Sequence, residues 1–354
     1  MGTSRNRMFD WLRTLFVVAL TSAILGLAFL YLAPDRAFLN IKEPLTSYGI
    51  HTGNITTNIT GYRSPLVRDV KFKLSSEQGW KTLNLHSPRL SNRSLVFEFM
   101  SSDLNAGENT LQIQSTSFFG ISRRHDYTFN AAVQETAFKG TFVRHWTSDA
   151  LEAQDGVWEV VPAKDGSADN WVQPIPGHEG YDRILLVTQP FTGPRRIDLA
   201  MTFSEQVGDN PRHGVGVLPL WGGHPDIEDV RPRRGWLYGL AWWYSEYPGF
   251  GVEFARKIGG DPVESINSQM DVPLFAQTYH VRVVVDEVNN KNGAPVFQMK
   301  MKWAKTPAEL DSLPWRVEVR DEEGLLSTTS SYAVGLLAHR AAVSFGPVTV
   351  TALN

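Results

Sequence analysis

The chain contains no cysteine among its 354 residues. That absence removes disulfides, thiolate metal sites, iron–sulfur clusters and cysteine nucleophiles together. Charge of one sign is also scarce in excess: the net charge is −3. No basic surplus favours nucleic acid, and no acidic block suggests a solvating tail. Neither a phosphate-binding glycine loop nor a Gly-x-Ser-x-Gly elbow occurs. Outside the first thirty-odd residues no long segment has a helical period. The one short exception is Thr306-Pro-Ala-Glu-Leu-Asp311, which offers an N-cap and a proline at the first helical position. No cofactor is expected.

Hydrophobic residues make up 42% and charged residues 20% of the chain, enough for ordinary cores. The 29 glycines and 20 prolines suit many strands joined by turns. A large body without disulfides, stabilised by burial alone, reads as a bacterial envelope protein.

Residues 14–34 carry no charge until Asp35, and 15–33 are nearly all apolar. About twenty such residues cross a hydrocarbon core of roughly 30 Å. Trp11 and Tyr31 sit where interfacial aromatics belong, and Arg5, Arg7 and Arg13 precede the run. The expectation is a cytoplasmic tail at 1–13, a transmembrane helix at 14–34 with Trp11, Arg13, Gly26 and Tyr31 as anchor residues, and a body in the periplasm or at the cell surface. A cleaved signal peptide is the alternative, but its apolar region is shorter, and Tyr31 and Pro34 make a poor cleavage site after Ala33.

Residues 35–64 read as a stalk, rich in Pro, Gly, Asn and Thr. Residues 65–135 alternate like strands: Val70, Phe72 and Leu74, then 96–100, then Leu111 and Ile113, then 125–129. From 140 to 354 the expected strands are Trp158–Val161, Arg183–Thr188, Arg196–Phe203, Gly214–Leu220, Trp236–Tyr244, Gly249–Arg256, Tyr279–Val285, Val296–Trp303, Trp315–Arg320, Tyr332–Ala338 and Ala341–Ala352. That many strands imply two large antiparallel sheets face to face.

The run Leu104-Asn-Ala-Gly-Glu-Asn-Thr-Leu-Gln-Ile113, with Phe119-Gly120 after it, resembles the late strands of bacterial immunoglobulin-like domains. The order of features from Trp158 onward resembles the concanavalin A-like lectin/glucanase superfamily in its laminin-G-like branch. The closing pair Val334-Gly-Leu-Leu-Ala338 and Val343-Ser-Phe-Gly-Pro-Val-Thr-Val350 carries most of that likeness. Gly346 stands where many relatives have Asp. The fold class expected is therefore mainly β: one transmembrane helix, a small Ig-like sandwich at 65–135, and a laminin-G/concanavalin A-like jelly roll at 140–354.

The superfamily's glucanases carry Glu-x-Asp-x-x-Glu on one strand, so that alternation sets the carboxylates on one face. This chain has no such spacing. Asp226-Ile-Glu228-Asp229 comes nearest, either as a divergent catalytic pair or as a solvated acidic loop. The same three carboxylates are the calcium candidates, and His213, His224 and Asp226 a transition-metal alternative. The replacement at Gly346 argues against calcium. The aromatic segment beginning at Trp236 splits by alternation. Trp236, Tyr238, Leu240 and Trp242 point one way, and Leu237, Ala241 and Trp243 the other. One set fills a core. The other, with Trp221, offers a platform for sugar rings or a protein partner. The candidate binding residues are Trp221, Arg233, Arg234, Trp236, Trp243, Tyr244 and Tyr247.

These features point first to a non-catalytic, membrane-anchored interaction protein, an accessory subunit of a respiratory or photosynthetic type of complex. The partners expected are the lipid bilayer and other membrane-complex subunits. A carbohydrate-binding surface protein and a divergent glycoside hydrolase are the alternatives.

Overall fold

The structure is a computed structural model. It describes residues 3–32, 38–42, 47–87, 89–90, 93–133, 138–176, 182–205, 213–226, 231–244, 249–257, 263–270 and 276–353.

Helix α1 spans Thr3–Leu32. Among the described residues no helix is long and apolar enough to cross a membrane. The span expected at 14–34 is thus not shown by the structure. Beyond Arg13 the helix is nevertheless largely apolar. Leu15, Phe16, Val17 and Val18 are all exposed in succession, as are Trp11, Leu12, Leu20, Ile24 and Leu25. All the described side chains of the helix are exposed, which is the opposite of an amphipathic surface helix.

The small sandwich begins earlier than the sequence suggests. Its first sheet joins β1 (Leu39–Ile41), β3 (Thr57–Arg63) and β6 (Ser94–Phe99). Its second runs in the order β2-β8-β7-β4-β5, from β2 (Ser47–Ile50), β4 (Val67–Leu74), β5 (Lys81–Thr82), β7 (Gly107–Ser117) and β8 (Ser122–Val133). Three of these strands fall in the stretch expected as a stalk, so the boundary at 64 is corrected. Two observations explain why 35–64 does not read as strand. Strand β3 is polar in sequence, and its buried Thr57 and Asn58 are satisfied by tertiary partners: the Gly49 carbonyl of β2, and the Gln154 carbonyl of the other sandwich at 2.7 Å. Strand β2 pairs with β8 in parallel, through a long connection. Phe38 and Ile59 join Phe72, Phe97, Phe99 and Phe129 in the core, where the rings meet edge to face (Phe72–Phe97 5.3 Å) or tilted (Phe99–Phe129 6.0 Å).

The large sandwich has two antiparallel sheets. One contains, in order, β10 (Glu152–Asp155), β13 (Arg183–Leu186), β22 (Ala333–His339), β15 (Gly214–Trp221), β16 (Trp236–Tyr244), β17 (Gly249–Lys257) and β18 (Val263–Met270). The facing sheet runs β11 (Trp158–Val161), β12 (Trp171–Pro174), β23 (Ala342–Ala352), β14 (Arg195–Glu205), β19 (Thr278–Asn289), β20 (Pro295–Ala304) and β21 (Val317–Arg320), with β9 (Thr141–Arg144) added along β23. All eleven expected strands are present, and the short helix α2 is Pro307–Ser312, capped by the Thr306 hydroxyl. Alternation decides the faces. Ile197, Leu199, Met201 and Phe203 of β14 and Val281, Val283 and Val285 of β19 enter the common core. Between them Asp198 opposes Arg282 on the outside and accepts its guanidinium. Arg195 is fully buried and ties the two sheets together: it donates to the carbonyls of Phe191, Gly193, Pro219 and Tyr332. Burial pushes its pKa down to about 9.

The two sandwiches share a buried polar junction. Arg89 Nε donates to Asp155 at 2.6 Å and its Nη1 to Glu98 at 2.6 Å. Further bonds reach the carbonyls of Arg233 (2.8 Å) and Gln154 (3.1 Å). His224 completes the set between the Asp155 carboxylate (2.9 Å) and the Gly235 carbonyl (2.7 Å). Nearby, Asn54 bridges to Gly223. Gly223 has φ +84°, and a Cβ there would collide with the Asn54 carbonyl. Gly223→Ala is expected to cost more than about 1 kcal/mol, read as a fall in the unfolding midpoint. Gly53→Ala, with positive φ but open space around it, should cost less.

Candidate functional site

The site forms on the outer face of the seven-stranded sheet because β16 is apolar on both sides. Leu237, Ala241 and Trp243 turn inward to the common core. Trp243 meets Phe203 edge to face at 5.1 Å and His213 at 5.5 Å. Trp236, Tyr238, Leu240, Trp242 and Tyr244 turn outward. Neighbouring strands complete an apolar floor with Ile184, Leu186, Leu218, Trp221, Ala333 and Leu337. Rings then follow one another along the sheet: Trp221–Trp236 at 5.4 Å, Trp236–Tyr238 at 5.4 Å and Trp242–Tyr244 at 6.4 Å, each edge to face.

Above this floor lies an open groove of about 320 Å³. Trp236, Tyr238 and Tyr244 are half-buried and present ring surface to it. Polar groups stand at both ends. Tyr238 Oη donates to Glu253 at 2.9 Å, with Lys257 on the same strand. Asp182 and His339 are hydrogen-bonded at 2.7 Å beside Tyr244, whose ring lies 5.7 Å from the imidazole. Two glycines make room for the rings. A side chain at Gly214 would run into Tyr244, and one at Gly251 into Trp242. Apolar walls with a few convergent polar groups, at this volume, are what small-ligand sites look like.

The structure brings together Trp236 and Tyr244 from the sequence-derived candidates. Trp221 is fully buried, forming floor beneath Trp236 rather than platform. Trp243 is corrected: alternation turns its ring into the core against Phe203, and although the residue borders the groove it does not stand on the outer face as a platform. Arg233 is corrected as well. It is 4% exposed and works at the junction, its backbone N–H donating to Glu98 at 3.0 Å and its Nε to the Asp226 carbonyl at 2.9 Å. Arg234 is exposed in the same loop and does not line the groove. Tyr247 lies outside the described residues, as do Glu228 and Asp229. Asp226 is in the junction loop, its backbone N–H bonded to the Arg234 carbonyl, away from the groove lining. Among the described residues no group of three or more His, Asp or Glu is placed to hold a metal ion. His224 is committed to Asp155 and Gly235, and His213 to Trp243. Of the anchor residues, Trp11 and Arg13 are exposed and nothing lies within 4 Å of a Cβ at Gly26; the Tyr31 side chain is outside the described set. Sequence reading missed Asp182, Glu253, Lys257 and His339. Glu253 and Lys257 share β17, Asp182 and His339 come from other parts of the chain, and only strand pairing gathers them.

No family model and no curated protein matches the chain. Among solved structures it is distantly similar to β-sandwich proteins. An endo-β-1,4-glucuronan lyase from the fungus Trichoderma reesei aligns over 61% of this chain and 96% of its own, at 10% identity and TM-score 0.37. The carbohydrate recognition domain of Emp46p aligns over 58% and 89%, at 8% identity and TM-score 0.35. An alginate lyase variant in complex with alginate trisaccharide aligns over 62% and 100%, at 12% identity and TM-score 0.31. At this distance the reading of the site rests on its own geometry.

Proposed function

We propose that this protein is a non-catalytic carbohydrate-binding protein, held at a membrane by its apolar N-terminal helix. The observation that carries the reading is the outward groove of Trp236, Tyr238 and Tyr244 with polar groups at its two ends. Pyranose rings have apolar C–H faces and a polar hydroxyl rim. Such a ligand stacks on aromatic surface while its hydroxyls meet Glu253, Lys257, Asp182 and His339. In this reading the small sandwich is immunoglobulin-like and the large one laminin-G-like. The exposed apolar side chains of the helix, Leu15, Phe16, Val17, Val18, Leu20, Ile24 and Leu25 among them, support anchoring. The body is placed in the periplasm or at the surface of a bacterial cell.

The test is binding of the full chain, in detergent or nanodiscs, to an array of neutral and acidic oligosaccharides, followed by calorimetry. Binding that disappears in Tyr238→Ala with the fold intact is the expected result. No binding to any glycan would sink it. Release of new sugar ends from a bound polymer would instead overturn the non-catalytic part.

A second reading keeps the helix and assigns the body to other proteins, as a subunit of a membrane complex of respiratory or photosynthetic type. The exposed apolar side chains of the helix favour it. Purification in mild detergent should then bring further subunits down, and a lone monomer would count against it.

A further inference from the structure

The hairpin joining β7 to β8 ends in two adjacent exposed phenylalanines, Phe118 (63%) and Phe119 (57%). Neither contributes to a core. The turn holding them is tied, not loose. Ser117 N–H donates to the Ile121 carbonyl at 2.9 Å, Gly120 N–H to the Ser117 carbonyl at 3.0 Å, and Ile121 N–H to the Ser117 hydroxyl at 3.1 Å. Gly120 takes φ +80°, and a Cβ there would meet open space. Exposing two large rings at a tight tip costs solubility, and such a patch marks an interaction surface.

Its position in the fold says what meets it. Phe38, the first body residue described after α1, lies six residues beyond Leu32. At most about 3.5 Å per residue, it is within roughly 21 Å of the end of the helix. A short relay of hydrogen bonds joins Phe38 to the tip. The Phe38 carbonyl accepts from Ser64 N–H at 2.8 Å, the Ser64 hydroxyl from Leu66 N–H at 3.2 Å, and the Leu66 carbonyl from Phe118 N–H at 2.9 Å. The Arg123 guanidinium also lies 5.1 Å from the Phe38 ring centre. The Phe118–Phe119 tip and Phe38, the first body residue described after the helix, are therefore at one end of the small sandwich.

Cations outnumber carboxylates at that end. Arg63, Arg68, Arg93, Arg123 and Arg124 stand on the segments around the tip, against the described carboxylates Asp69 on β4 and Asp126 on β8; the Arg124 guanidinium lies 5.5 Å from the Trp80 ring centre. Arg63 N–H is bonded to the Arg93 carbonyl, which fixes those two close together. Apolar rings ringed by cations match a bilayer surface, whose acyl boundary accepts the rings and whose anionic headgroups attract the arginines.

We propose that the Phe118–Phe119 tip is a second membrane contact, dipping into the interface of an anionic bilayer beside the anchor and fixing the body's orientation above it. The inference rests on the anchoring role given to α1. With one tether the body would swing; with a tether and a wedge at the same end, the groove keeps a set height and direction from the membrane.

The cysteine-free chain allows the test. Single substitutions Phe119→Cys, Leu20→Cys and Asn292→Cys, on the tip, the helix and a distant exposed loop, are labelled with an environment-sensitive fluorophore. Each full-length protein is reconstituted into phosphatidylcholine/phosphatidylglycerol vesicles carrying a lipid-borne nitroxide quencher. The expected result is blue-shifted, quenched emission at 119 and 20, with position 292 unaffected. Adding Arg68→Glu and Arg124→Glu should reduce the quenching at 119 and leave that at 20. Quenching at 20 but not at 119 would overturn the second contact while leaving the anchor standing. No quenching at 20 would overturn the anchor, and the proposal with it.

Discussion

Arg89→Ala is expected to destabilise the folded protein by about 3–5 kcal/mol, because it strands two buried carboxylates without their cation. Glu98 is 1% exposed and Asp155 0% exposed, and Arg89 bonds both at 2.6 Å. The arginine spans the two sandwiches, so the loss should fall on their union as well as on each fold. Chemical unfolding monitored by tryptophan emission reads the first effect; limited proteolysis at the junction reads the second. A double variant, Arg89→Met with Glu98→Gln, should recover part of the loss, since it removes a charge along with its partner. A loss below about 1 kcal/mol for Arg89→Ala would show that the junction is hydrated and slack. The pH dependence has a definite sign. Burial pushes the Glu98 carboxyl up, but Arg89 and the other donors around it bring it below its usual value of 4.5. A group depressed on folding stabilises fully above its unfolded value and loses that contribution as pH falls through the folded one. Stability from this carboxylate should therefore hold at neutral pH and decline only below about 4.5, and Glu98→Gln should flatten that acid limb.

Trp243→Ala and Tyr244→Ala, adjacent in sequence, are expected to fail in opposite ways. Trp243 is 4% exposed in the common core against Phe203. Its truncation leaves a large cavity and should cost about 3–5 kcal/mol of stability. Tyr244 is half-buried at the rim of the groove, beside Trp242 and His339. Its truncation should leave the unfolding midpoint nearly unchanged. If the groove binds sugar, losing this aromatic anchor costs about 2 kcal/mol, on the order of thirty-fold in affinity. Calorimetric titration beside thermal unfolding separates the two outcomes. Equal loss of stability in both variants would place Tyr244 in the core and remove the groove as a site.

Much of the large sandwich was legible because its strands obey a period of two. Ile197, Leu199, Met201 and Phe203 alternate with polar or small neighbours, and no helical spacing competes with them. Strands 141–144, 152–155, 171–174 and 263–270 were not legible. They are short, or carry polar residues such as Gln154 and Asp155 whose burial depends on partners in the other sandwich. The stalk expected at 35–64 failed for the same reason, since Asn58 looks solvated until its cross-domain bond is known.

The chain's sequence alone determined its class: a cysteine-free, β-rich body behind an apolar helix, with aromatic residues concentrated on one strand. Local period and composition suffice for that, because they are properties of neighbouring residues. It also divided the residues of that strand into two facing sets. Which set met solvent was decided by the packing of one sheet on another, and so were the fates of Trp243 and Arg233. The grouping of Asp182, Glu253, Lys257 and His339 around one groove depended on strand order, as did the convergence of Arg89, Glu98, Asp155 and His224. Those contacts join residues far apart in the chain, and no local pattern encodes a pairing that only the closed sheets bring about.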